Sequence, residues 1–438
     1  MDLRINSLKG KKIRVLGLRP EGRPLVQFLI HHGAQVIEAD TAEDIDLALL
    51  SEKYFACLGQ VKLFKDKGVH VVSDLDFIAQ NCRGKIIAVT GTNGKSTTAY
   101  MTKTILASLG KKVFLGGNFF SDYVEALSTP ADFYLFETGS LVLERSVCFH
   151  PHIAVLTNIS PNHPERHRSM EEYVNIKFSI AQCQNQNDYF IYNAMAPVVT
   201  QKIDGLKLLA HKIPVCFNQQ DQALVWYQDQ KIYYRLKGSG NLSIRSFSLK
   251  GFHHLEDLIL AVSVCLCLGV SPQSIESVLG KIQGLPFRFE KLPNDLGIDI
   301  YNDAVANTPA ATAYALTSLK KNVILITGGL WQNGLGHEGL RKYLQESTKQ
   351  TIIFGKDRKR FLNCWKDFTT LYTVETLKEA VDLAFKSASP GDTILFSPGA
   401  KPEIGFGTYL KRGEEFNELA LQLAEYHALR RKLGRKDY

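Results

Sequence analysis

Ile86-Ile87-Ala88-Val89-Thr90-Gly91-Thr92-Asn93-Gly94-Lys95-Ser96-Thr97-Thr98-Ala99-Tyr100-Met101 decides the fold. Five apolar or β-branched residues make a buried strand, and Met101, Ile105 and Leu109, with Leu106 on the same face, make a helix at i, i+4 spacing. The turn between them is Gly91-Thr92-Asn93-Gly94-Lys95-Ser96-Thr97. Its glycines let the backbone turn tightly and aim N–H groups at phosphate oxygens, the helix N-terminus adds partial positive charge, and Lys95 adds a full one. Ser96 or Thr97 can coordinate the accompanying magnesium. A plain strand-to-helix turn is the bland alternative, and it does not account for Lys-Ser-Thr in that place. Gly91–Thr97 therefore reads as a nucleotide phosphate loop.

Outward from this loop, short β-branched runs alternate with helical patterns, the signature of parallel α/β units. Upstream we expect strand Lys12–Gly17, helix Arg23–His32, strands Gln35–Asp40, Tyr54–Leu58 and Val69–Ser73, and helix Asp74–Asn81. Downstream, strands are expected at Val113–Gly117, Phe133–Glu137 and Ile153–Asn158. Between about 213 and 250 the period changes to two, which predicts antiparallel strands joined by Gly238-Ser239-Gly240. A helix over 253–268 and a linker at Gly284-Leu285-Pro286 follow, then strands near 298–302, 322–327, 351–354 and 393–396. The expectation is an α/β chain of three domains: a Rossmann-like domain over 1–84, a central ATP-binding domain with a small antiparallel sheet over 85–286, and a Rossmann-like domain over 287–438.

Composition sets outer bounds. The chain has 438 residues, 45% hydrophobic and 22% charged, enough for two to four cores at roughly 100–200 residues per domain. No window reaches the roughly 18 apolar residues of a membrane span, and Met1–Gly10 has no apolar signal core. Eight cysteines without a CxxC pair argue against a disulfide framework or zinc ribbon, and Cys265 and Cys267 read as packed thiols. These features point to the cytoplasm. The net charge of +8 suits polyphosphate ligands and equally a solvated surface. The basic run Arg430–Lys436 closes a C-terminal helix, where cations complement the dipole, so nucleic acid is not an expected partner.

The loop is shorter than the general Gly-x-x-x-x-Gly-Lys-Ser/Thr pattern, since Val89 stands where its first Gly would be. Val89–Thr97 resembles the Mur ligases and the folylpolyglutamate synthetases. Further segments resemble the Mur ligases in order, over roughly residues 10–420, most closely the branch that adds glutamate to UDP-N-acetylmuramoyl-L-alanine. They are Gly116-Gly117-Asn118, Glu137 at a strand end, Asn158–His167, Lys177 fourteen residues after His163, Gly284–Glu290 with Arg288, and Arg412-Gly413-Glu414-Glu415-Phe416.

The resemblance implies an ATP-dependent amide ligase of peptidoglycan precursor synthesis, working through an acyl phosphate. It implies magnesium held by Ser96, Thr97 and Glu137, and a second ion at His163 and a carbamoylated Lys177, with Lys95, His163 and Lys177 carrying the catalysis. It places Arg288 and Asp303 on the nucleotide, and Asp40, Thr41 and Asn118 on the UDP substrate. Substrates are expected to be small molecules, with no membrane partner, and the chain a monomer. Taken singly, Lys177 is as readily a solvated helix lysine, His163 a turn residue and Glu137 a strand-end carboxylate.

The departures from the family pattern keep alternatives open. His253-His254-Leu255-Glu256-Asp257 stands for His-Asn-x-x-Asn, and Asn162 replaces an acid beside the metal motif. Asp303–Pro309 keeps the aspartate of Asp-Ser-Lys-Ala-Thr-Asn-Pro but has Val305 for its lysine. Gly328-Gly329-Leu330 lacks the lysine expected after the glycines, and Ser397-Pro398-Gly399-Ala400-Lys401-Pro402 replaces Ser-Pro-Ala-Cys-Ala-Ser. Lys401 is the candidate to hold the amino-acid carboxylate instead. In the first domain, Arg19-Pro20-Glu21 replaces a Gly-rich loop while Asp40-Thr41 is kept. L-glutamate, another amino acid, a different acceptor, or a nucleotide-binding protein without ligase activity are the other readings.

Overall fold

The computed structural model describes residues 3–17, 23–37, 42–51, 58–117, 120–162, 166–218, 220, 222–319, 322–367 and 370–432. Among them the strands form three sheets. The first contains β1 (Lys12–Leu16), β2 (Gln35–Val36), β3 (Leu47–Leu50) and β4 (His70–Ser73) in the order β2-β1-β3-β4, all parallel. Helix Asp74–Asn81 follows β4 directly. Ser73 caps it by accepting the Asp76 N–H at 2.9 Å, and Asp74 and Asp76 in its first turn complement the dipole.

The sequence expectation needs two corrections here. Leu47–Leu50 is a fully buried strand that carries no β-branched residue, because a strand covered on both faces needs only an apolar run. Leu58 begins a helix, Leu58–Asp66, rather than ending a strand. The remainder of the expected strand, residues 54–57, lies outside the described residues, as do 38–40.

The second sheet holds β5 (Lys85–Thr90), β6 (Val113–Gly117), β7 (Phe133–Glu137), β8 (Ile153–Leu156), β9 (Tyr189–Asn193), β10 (His211–Cys216), β11 (Val225–Gln228), β12 (Lys231–Arg235) and β13 (Ser239–Ser243). Their order is β13-β12-β11-β10-β9-β8-β5-β7-β6. The pairs β11–β12 and β12–β13 are antiparallel and the rest parallel. The first of these hairpins turns on Asp229 and Gln230, both at positive φ (49° and 57°), a two-residue turn that the sequence reading overlooked. The expected Gly238 turn joins β12 to β13, but Ser239 and Gly240 already belong to the strand.

Chain order reverses across β5. The chain passes to the far edge at β6, returns to β7 on one side of β5, and then continues at β8 on the other. A parallel sheet opens a crevice at such a reversal, beyond the carboxyl ends of its strands. The phosphate loop lies at that end of β5, between the loops that leave β7 and β8.

The third sheet holds β14 (Glu290–Leu292), β15 (Asp299–Asn302), β16 (Val323–Gly328), β17 (Thr348–Phe354), β18 (Leu371–Thr373) and β19 (Thr393–Phe396) in the order β14-β15-β19-β16-β17-β18. Only β14 is antiparallel to its neighbour. Apolar side chains of both faces, Ile300, Ile326 and Phe396 on one and Tyr301, Leu325 and Leu395 on the other, are buried under helices. The last helix, Tyr409–Lys432, packs Phe416 on Phe396 with ring centroids 4.5 Å apart. The described residues divide into two compact units. One is 1–159, 169–248 and 257–282, and the other is 160–168, 249–256 and 283–438. No described helix is long and apolar enough to cross a membrane.

Candidate active site

The loop after β5 is held open by its own polar atoms and by the strand beside it. Gly91 has φ 146°, and a Cβ there would lie 1.9 Å from Thr157 Oγ1, so no side chain fits. The Thr92 N–H donates to Asn158 O at 2.8 Å and the Asn93 N–H to Asn158 Oδ1 at 2.9 Å. Asn158 Nδ2 returns a bond to Asn93 O at 3.2 Å. The segment after β8 thus clamps the loop against collapse. Gly94, at φ 81°, precedes the first turn of helix Lys95–Ser108, and a Cβ there would come within 2.2 Å of Asp257 Oδ1. Asp257 also accepts from Thr98 Oγ1 at 3.1 Å. The Asp257 carboxylate therefore buttresses the loop from behind.

At the mouth of the helix, Ser96 Oγ donates to Glu137 Oε2 at 2.7 Å, and both residues are buried. Glu137 ends β7, so neighbouring strands deliver the hydroxyl and the carboxylate to one point. Lys95 Nζ donates to Thr92 O at 2.8 Å. Lys177, on helix Met170–Phe178, is 2% exposed and donates to Thr90 Oγ1 at 3.1 Å. Burial holds its ammonium well below the ordinary lysine range, Lys95 pushes the same way, and Glu137 opposes them. The same helix brings Tyr173 OH to 3.1 Å from Thr92 Oγ1. Sequence reasoning overlooked Tyr173, although its i−4 spacing from Lys177 puts it on the same helix face.

In the third sheet a second cluster occupies the carboxyl ends of β15 and β19. Asp303 accepts from Ser397 Oγ at 2.9 Å and from the Phe289 N–H at 3.2 Å. Burial pushes its carboxyl up to about 7 against those two donors. Ser397 Oγ also bonds Thr312 Oγ1 at 3.0 Å. Lys401 lies in the loop after β19, where its carbonyl accepts the Leu330 N–H at 3.0 Å.

Residues 89–264 match the Mur ligase middle domain and residues 287–399 the Mur ligase glutamate ligase domain. The UDP-N-acetylmuramoylalanine–D-glutamate ligase of Aquifex aeolicus is 31% identical, over 93% of this chain and 98% of that protein. This chain belongs to the Mur ligase family. The ligase of the same name from Geotalea uraniireducens is 29% identical over 95% of this chain and 98% of its own length. Among solved structures, MurF from Acinetobacter baumannii superposes with a TM-score of 0.65 at 18% identity, covering 96% of this chain and 93% of that one. MurF from Thermotoga maritima, solved with ADP, gives 0.62 at 16%, covering 97% and 98%. These two share the three-sheet α/β fold.

For a Mur ligase, the sequence-selected residues fall into three groups. Gly91 to Thr97, Glu137 and Lys177 come together around the carboxyl end of β5. Asp303 and Lys401 belong to the cluster of the third sheet. Arg288 lies beside them: its charge faces Asp303, and its backbone is bonded by the buried imidazole of His254. His163, Asp40, Thr41 and Asn118 lie outside the described residues. Behind the loops of this sheet lies Arg412, which donates to the carbonyls of Ala400 and Ala304.

Proposed function

We propose that this Mur ligase joins D-glutamate to the carboxylate of UDP-N-acetylmuramoyl-L-alanine, with ATP cleaved to ADP and phosphate, as a cytoplasmic monomer using small-molecule substrates alone. The observation that carries the reading is the intact, braced phosphate loop in a chain similar over nearly its full length to ligases of that name. The reaction needs an activated carboxylate, which phosphoryl transfer from ATP supplies as an acyl phosphate. Such transfer needs positioning and charge neutralisation rather than covalent help.

The residues fit those needs. The backbone N–H groups at the start of helix Lys95–Ser108 and the Lys95 ammonium would take the phosphate oxygens. The Ser96–Glu137 pair, two oxygen donors 2.7 Å apart in a buried place, suits a hard divalent cation. Thr97 would join them on one magnesium ion, and His163 with Lys177 on a second. Bound magnesium would neutralise phosphate charge. Lys177 would serve as a carbamate. Its amine is buried beside Thr90 and is disfavoured as a cation, and the neutral amine is the form that adds carbon dioxide, releasing one proton.

Asp40, Thr41 and Asn118 would hold the UDP substrate, Arg288 and Asp303 the nucleotide, and Lys401 the carboxylate of the incoming amino acid. The corresponding division of labour is residues 1–84 for the UDP group, 85–286 for ATP and 287–438 for the amino acid. The test is ADP release by purified protein with each substrate omitted in turn, in ordinary and in carbon-dioxide-depleted buffer. ADP release that requires all three substrates and falls on depletion is the expected outcome. Release that ignores the acceptor and the amino acid would refute the ligase reading.

A further inference from the structure

Arg412 is the unusual residue of the third sheet. It stands in the first turn of the last helix and is 0% exposed. Its Nη1 donates to Ala400 O at 3.0 Å, and its Nη2 to Ala304 O at 2.8 Å and to Asn307 Oδ1 at 3.0 Å. Ala304 and Asn307 lie in the loop leaving β15, and Ala400 lies in the loop leaving β19. One guanidinium therefore fixes two loops that the chain separates by about ninety residues. A third loop closes in as well. At Gly329, after β16, a Cβ would sit 2.5 Å from Lys401 O and 3.4 Å from Arg412 Nη1. The helix is itself anchored to β15, since Asn302 Nδ2 donates to Gly413 O at 2.9 Å and to Asn417 Oδ1 at 2.7 Å.

Stability alone does not explain a charge in this place. Burying a guanidinium is expensive, and an apolar side chain of similar volume usually serves a core as well or better. One turn later the same helix uses Phe416 for that purpose. What a guanidinium offers is a planar fork of donors that fixes several acceptors in one geometry. Its acceptors here are main-chain and amide oxygens of loops at the carboxyl ends of parallel strands, where ligands of such sheets bind.

We infer that Arg412 is a positioning residue for the amino-acid substrate: acting from behind, it sets the loops 303–307 and 397–401 so that Lys401 meets the substrate carboxylate. The inference rests on the ligase reading above. Because Arg412 acts only through these loops, its loss weakens amino-acid binding and leaves the binding of the UDP substrate unchanged.

The experiment uses the full-length enzyme and follows ADP formation by wild type, Arg412→Lys and Arg412→Gln, varying D-glutamate, UDP-N-acetylmuramoyl-L-alanine and ATP in turn. KM does not depend on the fraction of enzyme that is folded, so a merely structural defect lowers kcat and leaves KM alone. The expected result is a D-glutamate KM raised several-fold in Arg412→Gln, no more than the loss of Lys401 itself would raise it, with a smaller rise in Arg412→Lys. The KM for UDP-N-acetylmuramoyl-L-alanine stays within about two-fold of wild type in both variants. An unchanged D-glutamate KM in both variants, or a parallel rise in the KM for UDP-N-acetylmuramoyl-L-alanine, would overturn the positioning role. A wild-type enzyme that forms no product would instead remove the ligase reading beneath it.

Discussion

At the carboxyl end of β5 a phosphate loop is braced by its neighbours and offers its backbone to a ligand, whereas the loops after β15 and β19 are tied from behind by one buried cation. Both regions are strand-to-loop junctions of parallel sheets, and both need order without occupying the space where a ligand sits. The first achieves it with glycines and with a side-chain amide returning to the backbone, as Asn158 does to Asn93. The second achieves it with the fork of Arg412 and the Asp303–Ser397–Thr312 chain. A loop that must enclose phosphate is specified by local sequence. A loop that must present a side chain can be specified from a distant helix.

The largest effect is expected in the first region. Lys95→Ala should lower kcat by roughly a thousand-fold, the scale for removing a cation that meets developing charge, with thermal stability little changed. Steady-state rates beside a melting curve check this, and a kcat within ten-fold of wild type would break the assignment of Lys95. Gly94→Ala comes next. Its Cβ would collide with Asp257 Oδ1 at a left-handed φ, so stability should fall by about 1–3 kcal/mol and ATP affinity with it, as urea unfolding and nucleotide titration would report.

How much of this was legible in the sequence differs between the regions for a physical reason. Gly91–Thr97 is contiguous, so its residue types and the strand and helix flanking it could be read together. Glu137 and Lys177 required the family resemblance, since β7 and helix Met170–Phe178 meet the loop only after folding. The buttress by Asp257 was not legible: its position in the sequence marks a departure from a pattern, and only the fold brings it against Gly94. Arg412 was visible as part of Arg-Gly-x-x-Phe, but its acceptors are two alanine carbonyls and one amide, and carbonyls leave no trace in a sequence. In the first sheet, β3 escaped because Leu-Ala-Leu-Leu carries no strand signal beyond being apolar.

The second region predicts a pH effect. Asp303 is held near 7, above the ordinary carboxylate range, so the folded state binds its proton more tightly than the unfolded chain. Its contribution to stability is therefore complete below about pH 4 and is lost as the pH rises to 7. Glu256, also held near 7 by burial, titrates in the same window. The contribution of Asp303 is therefore the difference from Asp303→Asn, whose melting temperature should fall less between pH 4 and 7. Parallel curves would break the claim that Asp303 is desolvated at a cost. The smallest effect is expected at Lys401, where Lys401→Ala should raise the D-glutamate KM several-fold, roughly the worth of one exposed-to-half-buried ion pair. An unchanged KM would leave the amino-acid carboxylate to another residue.

The central claim is that the two regions serve one reaction, and product analysis by mass spectrometry tests it most directly. Purified protein, ATP, magnesium and UDP-N-acetylmuramoyl-L-alanine are incubated with D-glutamate, with L-glutamate or with no amino acid. The account predicts a product heavier by one glutamyl residue in the D-glutamate tube alone, formed in step with ADP. No glutamyl product in either amino-acid tube, from protein that still binds ATP, would contradict it.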